Sequence, residues 1–491
     1  MRATSDSRKD EIRQAIERWF DERSDALIGD LSRLIAVKSV NDAPSDGAPY
    51  GVNSRQALEV SRDILRNLGF ETALFRDCMA IADLDVPTDA VPQVGLLVHS
   101  DVVAATGGGW TGEPYVAEIR NGNIYGRGAT DNKGPAVASF YALAAARDVA
   151  RSLGIALNGG ARVIVGSAEE IGCVDIARYL KENAPPRYTF APDANYPIVN
   201  VEKGRYVLSF GRKFEITPEQ LRGGVFVRAF DGGETSNIIP RLSTATVAGV
   251  TESDIAALTR EFTERTGVTF ELTPLDRGVK ITAHGVASHA SRPQDGNNAQ
   301  TALVSLLAAL PLIDCDSTRA VRSLAKLFPH GVTDGSSVGI AGADDVSGAL
   351  TLAFTVLKLT EHDFTATFDS RTPKISDSQD ILGIAIAALA GEDIAVTYSN
   401  LTRCHVADKD SPFVRTLLGI YEEYTGLRGE CLALGGTTYV HDIEGGVAFG
   451  CEMPGVDHRI HSADEFIPLE TLLTSGKMFA DAIIQLCDSA E

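Results

Sequence analysis

Two stretches decide the fold of this chain: residues 93–101, QVGLLVHSD, and residues 161–170, ARVIVGSAEE. Each is a short apolar run that stops abruptly on residues able to carry charge, the pattern of a strand buried on both faces whose end reaches solvent or a ligand. Between them, NIYGRGATDNKG (123–134) reads as a short strand and turn, and PAVASFYALAAARDVA (135–150) as a helix. RYTFAPD (187–193) adds another apolar run that ends on an acid. Strands alternating with helices predict an α/β layer with a largely parallel sheet.

Working outward, the first forty residues read as helical, with Ile12, Ile16 and Trp19, then Leu27, Leu31 and Leu34, at three- and four-residue intervals. A second amphipathic helix is predicted from about 54 to 67. The texture changes between Glu202 and Phe214. VLSFGRKFEIT, STATVAGV, TFELT and GVKITAHG alternate like half-exposed antiparallel strands, with helices near 253–266 and 298–310. From DKDSPFVRTLLGIYEEYTG (408–426) the α/β character returns. The expected fold class is therefore α/β: a discontinuous domain (1–204 and 404–491) with a mostly parallel mixed sheet flanked by helices, plus an inserted α+β domain (205–403).

Composition narrows the function. Against 45 Lys and Arg stand 66 Asp and Glu, a net charge of −21 that repels phosphate backbones and anionic lipid, so neither nucleic acid nor membrane is expected as a partner. Seven scattered cysteines without a C-x-x-C pair read as buried thiols, not as a disulfide framework or a zinc ribbon. The opening MRATSDSRKDEIRQ carries charge where a signal peptide would need an apolar run, and no stretch nears the roughly 18 apolar residues of a membrane span. A cytoplasmic location is expected.

In an open α/β sheet, ligands collect beyond the carboxyl ends of the strands. Four places put candidate metal ligands there: His99 and Asp101, Asp131, Glu169 with Glu170, and Asp193. Taken singly each has an ordinary explanation: a turn, a helix N-cap, a solvated acidic pair. Together, one imidazole and several carboxylates suit Zn²⁺ or Mn²⁺. Such a set can hold two ions about 3.5–4 Å apart that clamp a hydroxide and the attacked oxygen. Neighbouring Glu169 and Glu170 point to opposite sides of an extended chain, so one can bind metal while the other serves as general base. His99 and Asp101 share a face, so the acid can orient the imidazole.

These motifs, HSDVV with GGGW, YGRGATDNKGP, SAEEIG, APDANYPIVNVEKG and RIHSADE, resemble the dinuclear zinc metallopeptidase family of aminoacylases and glutamate carboxypeptidases (peptidase family M20). PDANYPIVN, DKDSPFVRTLLGIYEEYTG and GGTTYVH resemble its peptidase V-like dipeptidase branch. The resemblance runs in order over nearly the whole chain. It implies one metal on His99 and Asp193, the other on Glu170 and His461, and Asp131 bridging them. Glu169 would be the general base and Asp101 the orienting partner of His99. The inserted domain would be a lid, with His289 of SHASRP polarising the scissile carbonyl, Asn237 of TSNIIP beside it, and Arg371 of DSRTP on the substrate's terminal carboxylate. Gly435, Gly436, Thr437 and Thr438 would complete that pocket.

The expected activity is that of a metal-dependent dipeptidase cleaving short unblocked dipeptides with a metal-bridging hydroxide. The cofactors would be two divalent ions, Zn²⁺ first, with Mn²⁺ or Co²⁺ as substitutes, and the enzyme a monomer. The alternative with the same dinuclear site is an N-acyl amino acid deacylase or carboxypeptidase. A binding protein without turnover is disfavoured by the presence of Glu169, His289 and Arg371, and a phosphoesterase by the acidic balance and the lack of a Walker-type loop. Three features stand apart: His458 competes with His461 for the ligand role, Asn132 follows the bridging acid where the family often has a second acid or an apolar residue, and Cys173 reads as a packed thiol.

Overall fold

The computed structural model describes residues 6–106 and 108–488. Gly107 of the GGGW motif and the outermost residues of the first and last predicted segments (1–5 and 489–491) lie outside them. The chain divides into two compact units, Met1–Val201 with Val406–Leu432 and Thr437–Glu491, and Glu202–His405 with Ala433–Gly436.

The first unit is built on a mixed sheet flanked by helices. Across it run Thr72–Phe75, Met79–Leu84, Ala161–Gly166, Val94–His99, Tyr188–Ala191, Val447–Ala448 and Ile198–Glu202. The strands from Ala161–Gly166 to Val447–Ala448 are mutually parallel, and the outer pairings are antiparallel. Val94–His99 is buried along its whole length, which is why it reads as an unbroken apolar run. Because the central strands are parallel, His99, the Glu169–Glu170 pair and Asp193 emerge at one edge of the sheet.

Helix Lys133–Leu153 is rich in alanine and buried along most of its length, and it ends where Gly154 takes the left-handed conformation at φ 63°. Pro412–Thr425 is capped by the Ser411 side chain, which accepts the Val414 amide, and is closed by Gly426 at φ 68°. The first forty residues form two helices, Asp6–Asp21 and Ser24–Ile35, and the next is Val52–Asn67. Ile12, Ile16, Leu27, Leu31 and Leu34 all face the core at 2 % exposure or less, so the periodicity marked the buried stripe.

The second unit is an antiparallel eight-stranded sheet in the order Thr269–Leu275, Gly278–His284, Leu242–Ala248, Phe226–Gly232, Thr351–Leu359, Asp363–Thr372, Gly204–Lys213 and Ala395–Thr402. Helices Glu252–Thr266, Ala299–Ala308, Asp316–Leu327 and Ile381–Ala390 accompany it. Its core centres on stacked rings, with Phe328 and Phe354 at 4.4 Å between centroids and Phe210 5.6 Å from Phe328. Burying each such ring is worth about 1.5–3 kcal/mol, enough to give this unit a core of its own.

Candidate metal centre

The first unit gathers six groups at the carboxyl edge of its parallel strands. His99 ends its strand with its ring buried. Its Nδ1 lies 3.0 Å from the Asp101 carbonyl oxygen and 3.5 Å from the Asp101 carboxylate. An Nδ1–H donated to that carbonyl fixes the tautomer and leaves Nε2 with its lone pair facing the acids. Nε2 stands 3.1 Å from Asp131 Oδ1 and 3.6 Å from Asp193 Oδ2. On the other side, His461 Nε2 lies 3.0 Å from Asp131 Oδ2 and 3.3 Å from Glu170 Oε2. Asp131 thus turns one carboxylate oxygen to each imidazole. His458 does not take part: it is buried, with Nδ1 3.2 Å from the Phe466 carbonyl oxygen and 3.5 Å from Thr130 Oγ1.

Potential ligand atoms of His99, Glu169 and Asp193, and of His99, Asp131 and Glu170, lie within 4.8 Å of one another in two sets. The buried His99 Nε2 and Glu170 Oε1 meet no hydrogen-bond partner in good geometry. Burial pushes the Glu169 carboxyl well above its ordinary range, raises Glu170 to about 7 and raises Asp193. Asp131, although burial opposes its charge, is held below the usual carboxylate range by the adjacent imidazoles of His461 and His99. His461, again against burial, is raised to about 11 by Asp131 and Glu170. Crowded carboxylates, orphaned donor atoms and imidazole lone pairs aimed inward fit a bound divalent cation, which satisfies all three at once.

Asp101 does more than face His99. Its Oδ1 and Oδ2 accept the amides of Glu169 and Glu170 at 3.3 and 3.1 Å, so one buried acid positions both the imidazole and the glutamate pair. The Asp131–Asn132 peptide is cis.

Several residues that the sequence reading passed over hold the centre in place. Asn132, noted there only as a departure, donates to Asp193 Oδ1 at 2.8 Å and to the Pro192 carbonyl at 2.7 Å, while its Oδ1 accepts the His99 amide at 3.2 Å. The final acid of HSADE, Glu465, is fully buried. Its Oε1 accepts the amides of Gly128, Thr130 and Asp131 at 3.0–3.1 Å, and Oε2 pairs with Arg127 at 2.5 Å. Asp175 Oδ2 accepts the amides of Ser167 and Ala168 and the Tyr439 hydroxyl at 2.7, 3.0 and 2.8 Å, bracing the turn just before Glu169. Gly166 has to be glycine there, because a Cβ would lie 1.8 Å from the Tyr439 oxygen.

Replacing Glu465 by Ala is expected to cost about 3–5 kcal/mol, because it strands a buried Arg127 and orphans the loop amides. The denaturant midpoint of the purified variant should fall accordingly, and an unfolding free energy within about 1 kcal/mol of wild type would remove Glu465 from this role.

In the second unit, the His289 and Asn237 segments run side by side: the Ala290 amide donates to the Asn237 carbonyl at 2.8 Å, and Ile238 bridges His289. His289 is exposed. Its Nδ1 lies 2.7 Å from Ser291 Oγ and accepts the Ser291 amide at 3.3 Å, so Nδ1 is engaged within its own loop. Arg371 is 4 % exposed and bonded to Asp369 and to the Gly435 carbonyl. Gly436 belongs to this unit, and Thr437 and the buried Thr438 to the other.

Fold and site together define a hydrolytic metallopeptidase. The profile of Peptidase family M20/M25/M40 matches residues 95–485, and the chain belongs to that family. The Bacillus subtilis protein YtjP, provisionally named a dipeptidase, is 30% identical over 467 residues, covering 94% of this chain and 98% of its own. A Beta-Ala-Xaa dipeptidase of Lactobacillus delbrueckii subsp. lactis is 30% identical over 476 residues, with 96% and 97% covered. Human carnosine dipeptidase 1 has a similar fold, with a TM-score of 0.56 at 16% identity and 98% of each chain covered. No helix among the described residues is long and apolar enough to cross a membrane.

Proposed function

We propose that this chain is a dipeptidase that hydrolyses the peptide bond of short unblocked dipeptides at a pair of divalent ions, with Glu169 as general base. The observation that carries this reading is the Asp131 carboxylate facing His99 with one oxygen, at 3.1 Å, and His461 with the other, at 3.0 Å. That is the arrangement a bridging ligand needs. His99 and Asp193 would hold one ion, Glu170 and His461 the other, and the nitrogen–oxygen donor set favours Zn²⁺, with Mn²⁺ or Co²⁺ as substitutes. Two such ions, when bound, lower the pKa of an attacking water and polarise the carbonyl it attacks.

The remaining steps belong to side chains. Glu169, its amide fixed by Asp101, takes the proton from the attacking water and returns it to the leaving amine. Residues 1–204 and 404–491 would act as the catalytic domain and 205–403 as its lid. From the lid, His289 offers Nε2–H to the developing oxyanion and Asn237 assists it. Arg371, Gly436, Thr437 and Thr438 take the terminal carboxylate. The names of the two relatives at 30% identity support a dipeptide substrate. A monomer in the cytoplasm fits the acidic composition and the scattered cysteines.

The test is hydrolysis of a panel containing free dipeptides, β-Ala-His among them, and N-acetyl amino acids by the metal-loaded protein. Free dipeptides are expected to be cleaved in preference. Turnover of the acylated compounds alone would replace the dipeptidase by an N-acyl amino acid deacylase at the same site.

A further inference from the structure

In the second unit, one buried carboxylate holds two guanidinium groups. Arg205 and Arg371 stand directly opposite each other on the antiparallel strands Gly204–Lys213 and Asp363–Thr372, so their side chains leave the same face of the sheet. Asp369, fully buried, lies between them. Its Oδ2 receives Arg205 Nε at 2.8 Å and Nη2 at 2.7 Å, and its Oδ1 receives Arg371 Nε at 2.8 Å. Arg371 Nη1 donates to the Gly435 carbonyl at 2.5 Å, and Arg205 Nη2 reaches Ser236 Oγ, next to Asn237, at 3.4 Å.

The charges in this cluster do not cancel: two arginines share one aspartate. Like charges placed opposite each other on neighbouring strands are destabilising, and one carboxylate between two arginines offsets that repulsion only in part. An anion from outside the chain removes the remainder. Arg371, 4 % exposed, forms the floor of the cluster, while the Arg205 side chain, 36 % exposed, forms its rim. An excess of one positive charge calls for one carboxylate, and a planar fork suits it.

We propose that Arg205 is a specificity-determining residue that grips the free terminal carboxylate of the substrate together with Arg371, with Asp369 holding both guanidinium groups in place. This rests on the dipeptidase reading for the identity of the ligand. It adds to that reading a second arginine at the carboxylate: amides are discriminated against by two arginines instead of one.

The experiment compares wild type, Arg205→Met and Arg205→Lys on a free dipeptide and on its C-terminal amide. Arg205→Met should raise KM for the free acid by about 10- to 100-fold. It should leave kcat for the acid and both constants for the amide within about twofold, since a charged hydrogen bond to the carboxylate is all that is lost. Arg205→Lys should recover part of the preference, which a merely structural role would not require. An acid-to-amide selectivity unchanged in Arg205→Met, or a loss equal on both substrates, would overturn the proposal. Calorimetric binding of a free amino acid against its amide, on the same three proteins, reads the clamp without turnover. If the wild type binds the acid in preference, Arg205→Met loses that preference and neither cleaves a dipeptide, the clamp stands and the dipeptidase reading falls. If the wild type shows no preference for the acid, the clamp falls.

Discussion

Glu169→Gln is expected to keep its metal and lose turnover by about a hundredfold to ten-thousandfold, the range supplied by a positioned general base. The substitution is nearly isosteric and leaves the amide bonded to Asp101 Oδ1 at 3.3 Å, so the turn that carries Glu170 should not move. What it removes is the ability to accept a proton. The native carboxyl is well placed for that task because burial raises its pKa well above the ordinary range, making it a stronger base than a surface carboxylate. Metal content by atomic emission, measured beside kcat, separates the possible outcomes. Glu169 also lies in one cluster with His99 and Asp193. A variant that loses both metal and activity would therefore make Glu169 a ligand, and a variant within about tenfold of wild type would move the proton to another group.

Asp131→Ala should have the larger effect, with activity falling by more than about a thousandfold, because in the proposed mechanism the ions it would help to hold contribute several kcal/mol to the transition state. Asp131 faces His99 with one oxygen and His461 with the other, so its carboxylate touches both sides of the centre. Its loss should lower metal occupancy at both positions. Added Zn²⁺ should raise the melting temperature of wild type through preferential binding to the folded state and leave that of the variant unchanged. Full metal occupancy in Asp131→Ala would rule out the bridging role.

The parts of this molecule that were legible in its sequence are those in which a strand or helix imposes a period. QVGLLVHSD and ARVIVGSAEE became buried parallel strands, and their polar ends put His99, Asp101, Glu169 and Glu170 at one edge. His461 was separable from His458 only through the resemblance of HSADE, since both are isolated histidines in a loop. The supports were not legible. Glu465, Asp175 and Asn132 act by accepting or donating hydrogen bonds to backbone groups far along the chain, and a backbone amide has the same appearance in every residue. A buried acid that serves such amides cannot be told from a solvated one by its neighbours in sequence. The shared use of Asp369 by Arg205 and Arg371 was hidden for a related reason: strand register, which sequence spacing does not reveal, brings them together.

The bond from the Asp131 amide to Glu465 spans 334 residues of chain. During synthesis at about 5–20 residues per second, Asp131 leaves the ribosome some 20–70 seconds before the acid that fixes its loop. His461 is made only four residues ahead of that acid, so throughout this interval the nascent chain lacks both one imidazole of the centre and the anchor of its shared carboxylate. Assembly of the candidate centre is in this way tied to time: its groups come together late, after the inserted unit has been made, so a chain stalled partway through translation lacks the complete set in the crowded surroundings of the ribosome.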